Sequence, residues 1–192
     1  MAYQKSVLYA ARLTKDKGLE NYMNLAAKMP GITFYIAGGS GELTEKVKEM
    51  EAKHSNLKYL GSLPRKDLFA KFQEVDYLML PSIWYENNPM IIIEAMAFGL
   101  PVIGSRMGGI PELLEDGRGF LFDPYTEGDD LRLLTELADL PIEEYRNVAR
   151  KARAFAQQLS FDHYYEKLAR VLPQLKVTAH QTIQSSTLNI HH

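Results

Sequence analysis

Apolar runs of strand length alternate with segments of helical period along most of this chain, and that alternation restricts it to βαβ units built on a parallel sheet. The strand-like runs are Ser6 to Ala11, Ile32 to Ala37, Leu57 to Leu60, Val75 to Leu80, Val102 to Gly104 and Phe120 to Phe122. Between them lie helical segments at Lys17 to Lys28, Glu42 to Lys53 and Arg65 to Glu74, and a helix that opens at Pro89. Six strands in this series predict one Rossmann-like, doubly wound α/β sheet of order 3-2-1-4-5-6 with helices on both faces. Pro141 opens a further helical segment to about Gln158, and Ser160 caps another running from Phe161 to about Leu172. These extra C-terminal helices complete one domain over residues 1–175, and the polar tail 176–192 is expected to fray.

In a sheet of this order, ligands sit at the switch point, outside the carboxyl ends of the first and fourth strands. The loop after the first strand carries Arg12, Lys15 and Lys17; the loop after the fourth carries Trp84, Glu86, Asn87 and Asn88. Asn88 suits the N-cap of the next helix and Pro89 its first position, which leaves the amides of Met90 and Ile91 facing the loop. Such a helix start attracts anions, and the cations of the first loop would hold a diphosphate from the other side.

Individual residues sharpen that expectation. The guanidinium of Arg12 can grip two phosphate oxygens, although a surface arginine paired with a carboxylate is the plainer alternative. Lys17 stands beside Gly18 at the start of a helix, where a cation opposes the macrodipole unless an anion is near. Glu86 is placed to accept hydrogen bonds from sugar hydroxyls, or else to cap the helix amides itself. Glu94 falls among Ile91, Ile92, Ile93, Ala95, Met96 and Ala97, where an unpaired carboxylate is costly. Its partner is either a ribose diol or a neighbouring basic side chain. Gly38-Gly39-Ser40-Gly41 misses the spacing of a dinucleotide fingerprint and reads first as a turn, with Gly39 leaving room for a base. Ser105 to Glu112, containing Gly108-Gly109, is a loop before a short helix that borders either the donor sugar or only its own packing.

Composition excludes several function classes. The chain has 192 residues, a formal charge of -2 with both signs interspersed, and no cysteine. There is no basic field for nucleic acid, no disulfide and no thiolate metal site. No apolar run approaches the ~18 residues of a membrane span and no signal-peptide pattern opens the chain. A cytoplasmic location is expected. The five histidines are scattered without metal-ligand spacing, and no Asp-x-Asp is present. Neither a metal nor another cofactor is therefore expected; the ligand is a substrate.

Taken together, Ala11-Arg12-Leu13 with Lys17-Gly18, Ala37 to Gly41, the pair Glu86 and Glu94 with seven residues between, Gly99-Leu100-Pro101-Val102-Ile103 and Gly108 to Glu112 form a recognisable set. They resemble the donor-binding half of the retaining family-4 (group 1) glycosyltransferases of the GT-B fold, from about Val7 to Leu172. Ser160-Phe161-Asp162 with Tyr164 and Tyr165 is similar to that family's final helix. The resemblance implies a UDP- or GDP-sugar donor with Arg12 and Lys17 on the diphosphate, Glu86 on the sugar, Glu94 on the ribose and backbone near Leu63 on the base. It also implies that the amides of Met90 and Ile91 assist the phosphates. Transfer with retained anomeric configuration and no metal would follow, onto a glycan, lipid-linked or polysaccharide precursor. The complete enzyme could lie peripheral to the membrane. Such enzymes carry a second, N-terminal acceptor-binding domain, which is missing from these residues, so this chain is expected to bind nucleotide sugar yet transfer poorly or not at all. The alternatives are a non-catalytic nucleotide-binding or interaction module of the same fold and a protein like the nucleotide-sugar epimerases.

Overall fold

A computed structural model describes residues 5–159. The helix expected from Phe161 to about Leu172, its Ser160 cap and the tail 176–192 lie outside the described residues. Strands β1 (Ser6–Ala10), β2 (Thr33–Ala37), β3 (Leu57–Tyr59), β4 (Tyr77–Leu80), β5 (Val102–Ser105) and β6 (Phe120–Phe122) make one sheet. Its order is β3-β2-β1-β4-β5-β6 with every pair parallel, as the alternation of elements predicts. The helices are α1 (Leu19–Lys28), α2 (Thr44–Lys53), α3 (Arg65–Phe72), α4 (Met90–Ala97), α5 (Ile110–Leu114), α6 (Asp129–Ala138) and α7 (Ile142–Gln158).

Period-2 alternation in the central strands sorts the core into two layers. Val7 and Tyr9 of β1 pack with Tyr22 and Met23 of α1, Val47 of α2 and Leu134 of α6. Leu8 and Ala10 point the other way, towards Phe72 of α3, Ile92 and Met96 of α4, Leu114 of α5 and Ala152 of α7. Strands buried on both faces read as unbroken apolar runs, which is why β1 and β4 were legible. The helix α6 is the element left unassigned by the periodicity. Its signals were present: Gly128 at the N-cap, Asp129 and Asp130 in the first turn, and Leu133, Leu134 and Leu137 on the buried side.

Polar groups fix how the strands meet. The Ser6 amide and hydroxyl both donate to Asp76 Oδ2 at 2.8 Å, which ties the start of β1 to the start of β4 across 70 residues. The fully buried Tyr22 hydroxyl lies 2.8 and 2.9 Å from the Val7 and Tyr35 carbonyl oxygens, which share its one proton. Two expectations about element ends need correction. The segment from Lys17 does not enter a helix directly, because Gly18 adopts the left-handed conformation (φ +68°) and divides a 3-10 turn at Lys15–Lys17 from α1. Asn88 does not cap α4; Pro89, extended at ψ 100°, is the N-cap residue and α4 begins at Met90 without a side-chain cap. Proline pushes its predecessor out of the helical region, and here the extended backbone continues through the proline as well.

Gly18 also permits a close approach, since a Cβ there would lie 1.7 Å from the Pro81 carbonyl oxygen. Gly39, by contrast, has nothing within 4 Å of an added Cβ. Gly18→Ala should therefore cost more than about 2 kcal/mol in a urea titration, whereas Gly39→Ala should stay within about 0.5 kcal/mol. Equal losses would contradict this packing. Burial also raises the Tyr22 hydroxyl well above the ordinary tyrosine value of about 10. The fold favours the neutral phenol, so its contribution is complete below about pH 10 and is lost as pH rises beyond that. The denaturation midpoint should fall on that alkaline side and fall less steeply in Tyr22→Phe; identical slopes would refute it.

Candidate functional site

Parallel pairing of β1 with β4 brings the two loops expected at the switch point together. Three contacts stitch them: the Ile83 amide donates to the Asp16 carbonyl at 3.0 Å, Gly18 packs on the Pro81 carbonyl, and Lys17 Nζ lies 2.5 Å from Glu86 Oε1. The last pair is mostly shielded, with side chains 18% and 13% exposed. Glu86 is further held from two sides. The Ser82 hydroxyl donates to the same Oε1 at 2.6 Å, and the Glu86 carbonyl accepts from the Gly109 amide at 2.7 Å. A Cβ on Gly108 or Gly109 would lie 2.1 Å from the Glu86 or Asn87 carbonyl oxygen, so this pair of glycines lets the loop after β5 close against the Glu86 loop. Glu86 therefore does not cap α4.

Arg12 takes a different position. It leaves the end of β1 largely exposed (71%) and meets Asp16 at 3.2 Å. Its backbone is fixed by the Tyr9 hydroxyl, which donates to the Arg12 carbonyl at 2.6 Å and which burial keeps protonated well past the usual tyrosine range. Arg12 also lines a cavity of about 260 Å³ at the carboxyl ends of β1 and β2, with Gly38, Gly39, Ser62 and Leu63. Gly38 and Gly41 there serve packing, since added Cβ atoms would strike the Ala11 and Leu13 carbonyl oxygens at 2.4 and 2.6 Å. Gly39 alone of the three has nothing within 4 Å of an added Cβ, and it lines the cavity together with Gly38.

A second cavity, of about 410 Å³, is lined by Tyr85, Glu86, Asn87, Gly108, Gly109 and Glu112. The loop bordering Glu86 thus packs against it and also lines this cavity. The residues that line this second cavity flank α4 in sequence. Its first amides, at Met90 and Ile91, receive no side-chain cap, Met90 is 56% exposed, and Asn88 and Pro89 lead into it from the solvent side. An uncapped helix start beside Lys17 and Glu86 is a place where negative charge is stabilised.

Glu94 lies in the second turn of α4, mostly shielded among apolar neighbours, and forms an ion pair with Arg65. Of the two partners weighed for it, the basic side chain is the one the structure shows, in Arg65. Arg65 was not singled out by the sequence, yet a signal existed. It opens α3 directly after Pro64, a cation at a helix start, the arrangement that flagged Lys17. Ser82 carried no comparable signal, since its role depends on burial at the end of β4 and on a loop that folds back over it. A third cavity of about 280 Å³, between α1 and the connection from β6 to α6, contains Lys28 but also Asp123, Glu127 and Asp130. Three carboxylates against one ammonium make it a poor diphosphate site.

Comparison with known proteins gives the family and the fold. Residues 3–155 match the family of glycosyl transferases group 1. The amylovoran biosynthesis glycosyltransferase AmsK of Erwinia amylovora is 32% identical over 183 residues, covering 88% of this chain and 44% of that protein. Among solved structures, Alr3699/HepE of Anabaena in complex with UDP-glucose superposes with a TM-score of 0.72 at 26% identity, over 90% of this chain and 50% of the other. The sucrose-phosphate synthase of Thermosynechococcus elongatus superposes with a TM-score of 0.76 at 24% identity, over 93% and 47%. The chain spans less than half the length of the curated relatives it matches. With a doubly wound sheet of the expected order and a family match over residues 3–155, this chain belongs to the group 1 glycosyltransferases.

Proposed function

We propose that this chain is the donor-binding half of a retaining, metal-independent glycosyltransferase and that its ligand is a UDP-sugar. The observation that carries the reading is the meeting of Lys17 with Glu86 beside the uncapped start of α4, which joins a phosphate-binding group to a hydroxyl-binding group at one point. Alr3699/HepE, crystallised with UDP and with UDP-glucose, supports the choice of donor. In this reading the base enters the cavity of Gly38, Gly39 and Leu63, and the sugar enters the cavity of Glu86 and Gly109. The diphosphate spans the gap between them on Lys17, Arg12 and the amides of Met90 and Ile91. Glu94 accepts the ribose hydroxyls.

The chemistry that follows is stabilisation of a leaving group. As the bond from the anomeric carbon to the phosphate oxygen breaks, negative charge grows on the diphosphate. Fixed cations and helix amides oriented in advance lower the energy of that charge without reorganising. Glu86, held by its own loop, orients the sugar through its hydroxyls rather than attacking it. The acceptor comes from a second domain, and the likeness of this chain to AmsK suggests that a polysaccharide or oligosaccharide precursor is involved.

Calorimetric titration with UDP and with uridine separates these roles. One charge-assisted hydrogen bond is worth about 1.5–3 kcal/mol, so Arg12→Ala should weaken UDP about tenfold or more and leave uridine within about twofold. Glu94→Ala should weaken both, because both carry the ribose. If neither variant differs from the parent, the site assignment is wrong. Joined to an acceptor-binding domain from a relative, the chain should transfer glucose from UDP-glucose to give the same anomer as the donor, read by proton NMR. An inverted product would refute retention, and no turnover with any donor would favour the non-catalytic module.

A further inference from the structure

The Ser82 hydroxyl is a buried donor at the end of β4 that the donor-site reading has not used. The residue is fully buried, its Oγ donates to Glu86 Oε1 at 2.6 Å, and its carbonyl accepts from the Ser105 hydroxyl at 2.6 Å. Ser105 is itself fully buried at the end of β5. Two central strands therefore reach the Glu86 carboxylate through two serines, neither of which can exchange its partner for water.

Both groups that touch this carboxylate among the described residues, Ser82 Oγ and Lys17 Nζ, meet the same oxygen. That leaves Oε2 as the acceptor for a ligand hydroxyl, since an ionised carboxylate accepts at both oxygens and donates at neither. The two anchors differ in what a diphosphate does to them. Lys17 carries a charge that a second, stronger anion attracts, whereas a buried neutral hydroxyl on a strand end is not so attracted. Once phosphate competes for Lys17, the serine is what keeps Glu86 aimed at the sugar.

We propose that Ser82 is the positioning residue of the donor-sugar subsite: it retains Glu86 Oε1 while the diphosphate engages Lys17, so that Oε2 stays directed at a sugar hydroxyl. The inference rests on the donor-site reading above and concerns sugar binding, not nucleotide binding. Its readout is the ratio of UDP-glucose affinity to UDP affinity, measured by calorimetry on the full chain. Ser82→Ala should lower that ratio about tenfold, the loss of one charge-assisted hydrogen bond's orienting effect, while UDP affinity changes less than about twofold. In a Glu86→Ala background, Ser82→Ala should change the ratio no further, an outcome that a general packing role for the serine would not give.

Ser82→Cys, which keeps a weak donor of similar shape, should recover part of the ratio and controls for misfolding, with thermal unfolding read alongside. An unchanged ratio in Ser82→Ala, with Glu86→Ala lowering it, overturns the proposal and spares the donor site. Equal losses of UDP and UDP-glucose affinity in Ser82→Ala also overturn it, by assigning the serine to the fold. If Glu86→Ala itself leaves the ratio intact, the sugar reading fails and Ser82 has nothing to position.

Discussion

The pairing of β1 with β4 is the constraint on which everything else depends, because chain order reverses there and two loops distant in sequence are forced to share one edge. The doubly buried Asp76 and Ser6 contact fixes that pairing at the amino ends of the strands. At the carboxyl ends the neighbouring loops close until Gly18 touches the Pro81 carbonyl and Lys17 reaches Glu86. A parallel sheet leaves its strand ends and helix starts pointing the same way, so unpaired amides collect where the crevice forms. Site and fold share a cause.

Charge balance at the crevice follows from the same crowding. Each charged side chain assigned to the ligand has an internal partner: Lys17 meets Glu86, Arg12 meets Asp16, and Glu94 meets Arg65. An isolated charge at a half-buried crevice is costly, and internal pairs hold it until a ligand supplies better partners. The three pairs are unequally committed. Arg12 is exposed, so its pair contributes little and releases easily, while the Lys17 pair is shielded on both sides. Binding a diphosphate thus exchanges internal ion pairs for external ones, and its net gain is smaller than a list of contacts suggests.

Much of this was legible in the residues. The alternation of runs gave six strands and their order, and Gly18, Glu86, Glu94 and the helix after Pro89 fell where periodicity put them to within a residue or two. What escaped had physical reasons. The cap of α4 shifted from Asn88 to Pro89 because local preference does not decide whether backbone turns helical at or after a proline. The partner of Glu94 escaped because Arg65 comes from another helix, and that of Glu86 because Ser82, four residues away, reaches it only once their shared loop folds back. The glycines of Gly38 to Gly41 looked like one signal but split into two whose Cβ positions are filled by backbone and one, Gly39, that has open space around it. Sequence spacing shows a turn; it does not show which side of the turn is empty.

The most direct measurement is a crystal structure of this chain grown with UDP-glucose. The account predicts density for a diphosphate between Lys17 and the first amides of α4, with Lys17 Nζ withdrawn from Glu86 Oε1 and the carboxylate still on Ser82. Nucleotide seated instead in the cleft between α1 and the β6 to α6 connection, with the Lys17 and Glu86 pair undisturbed, would contradict it.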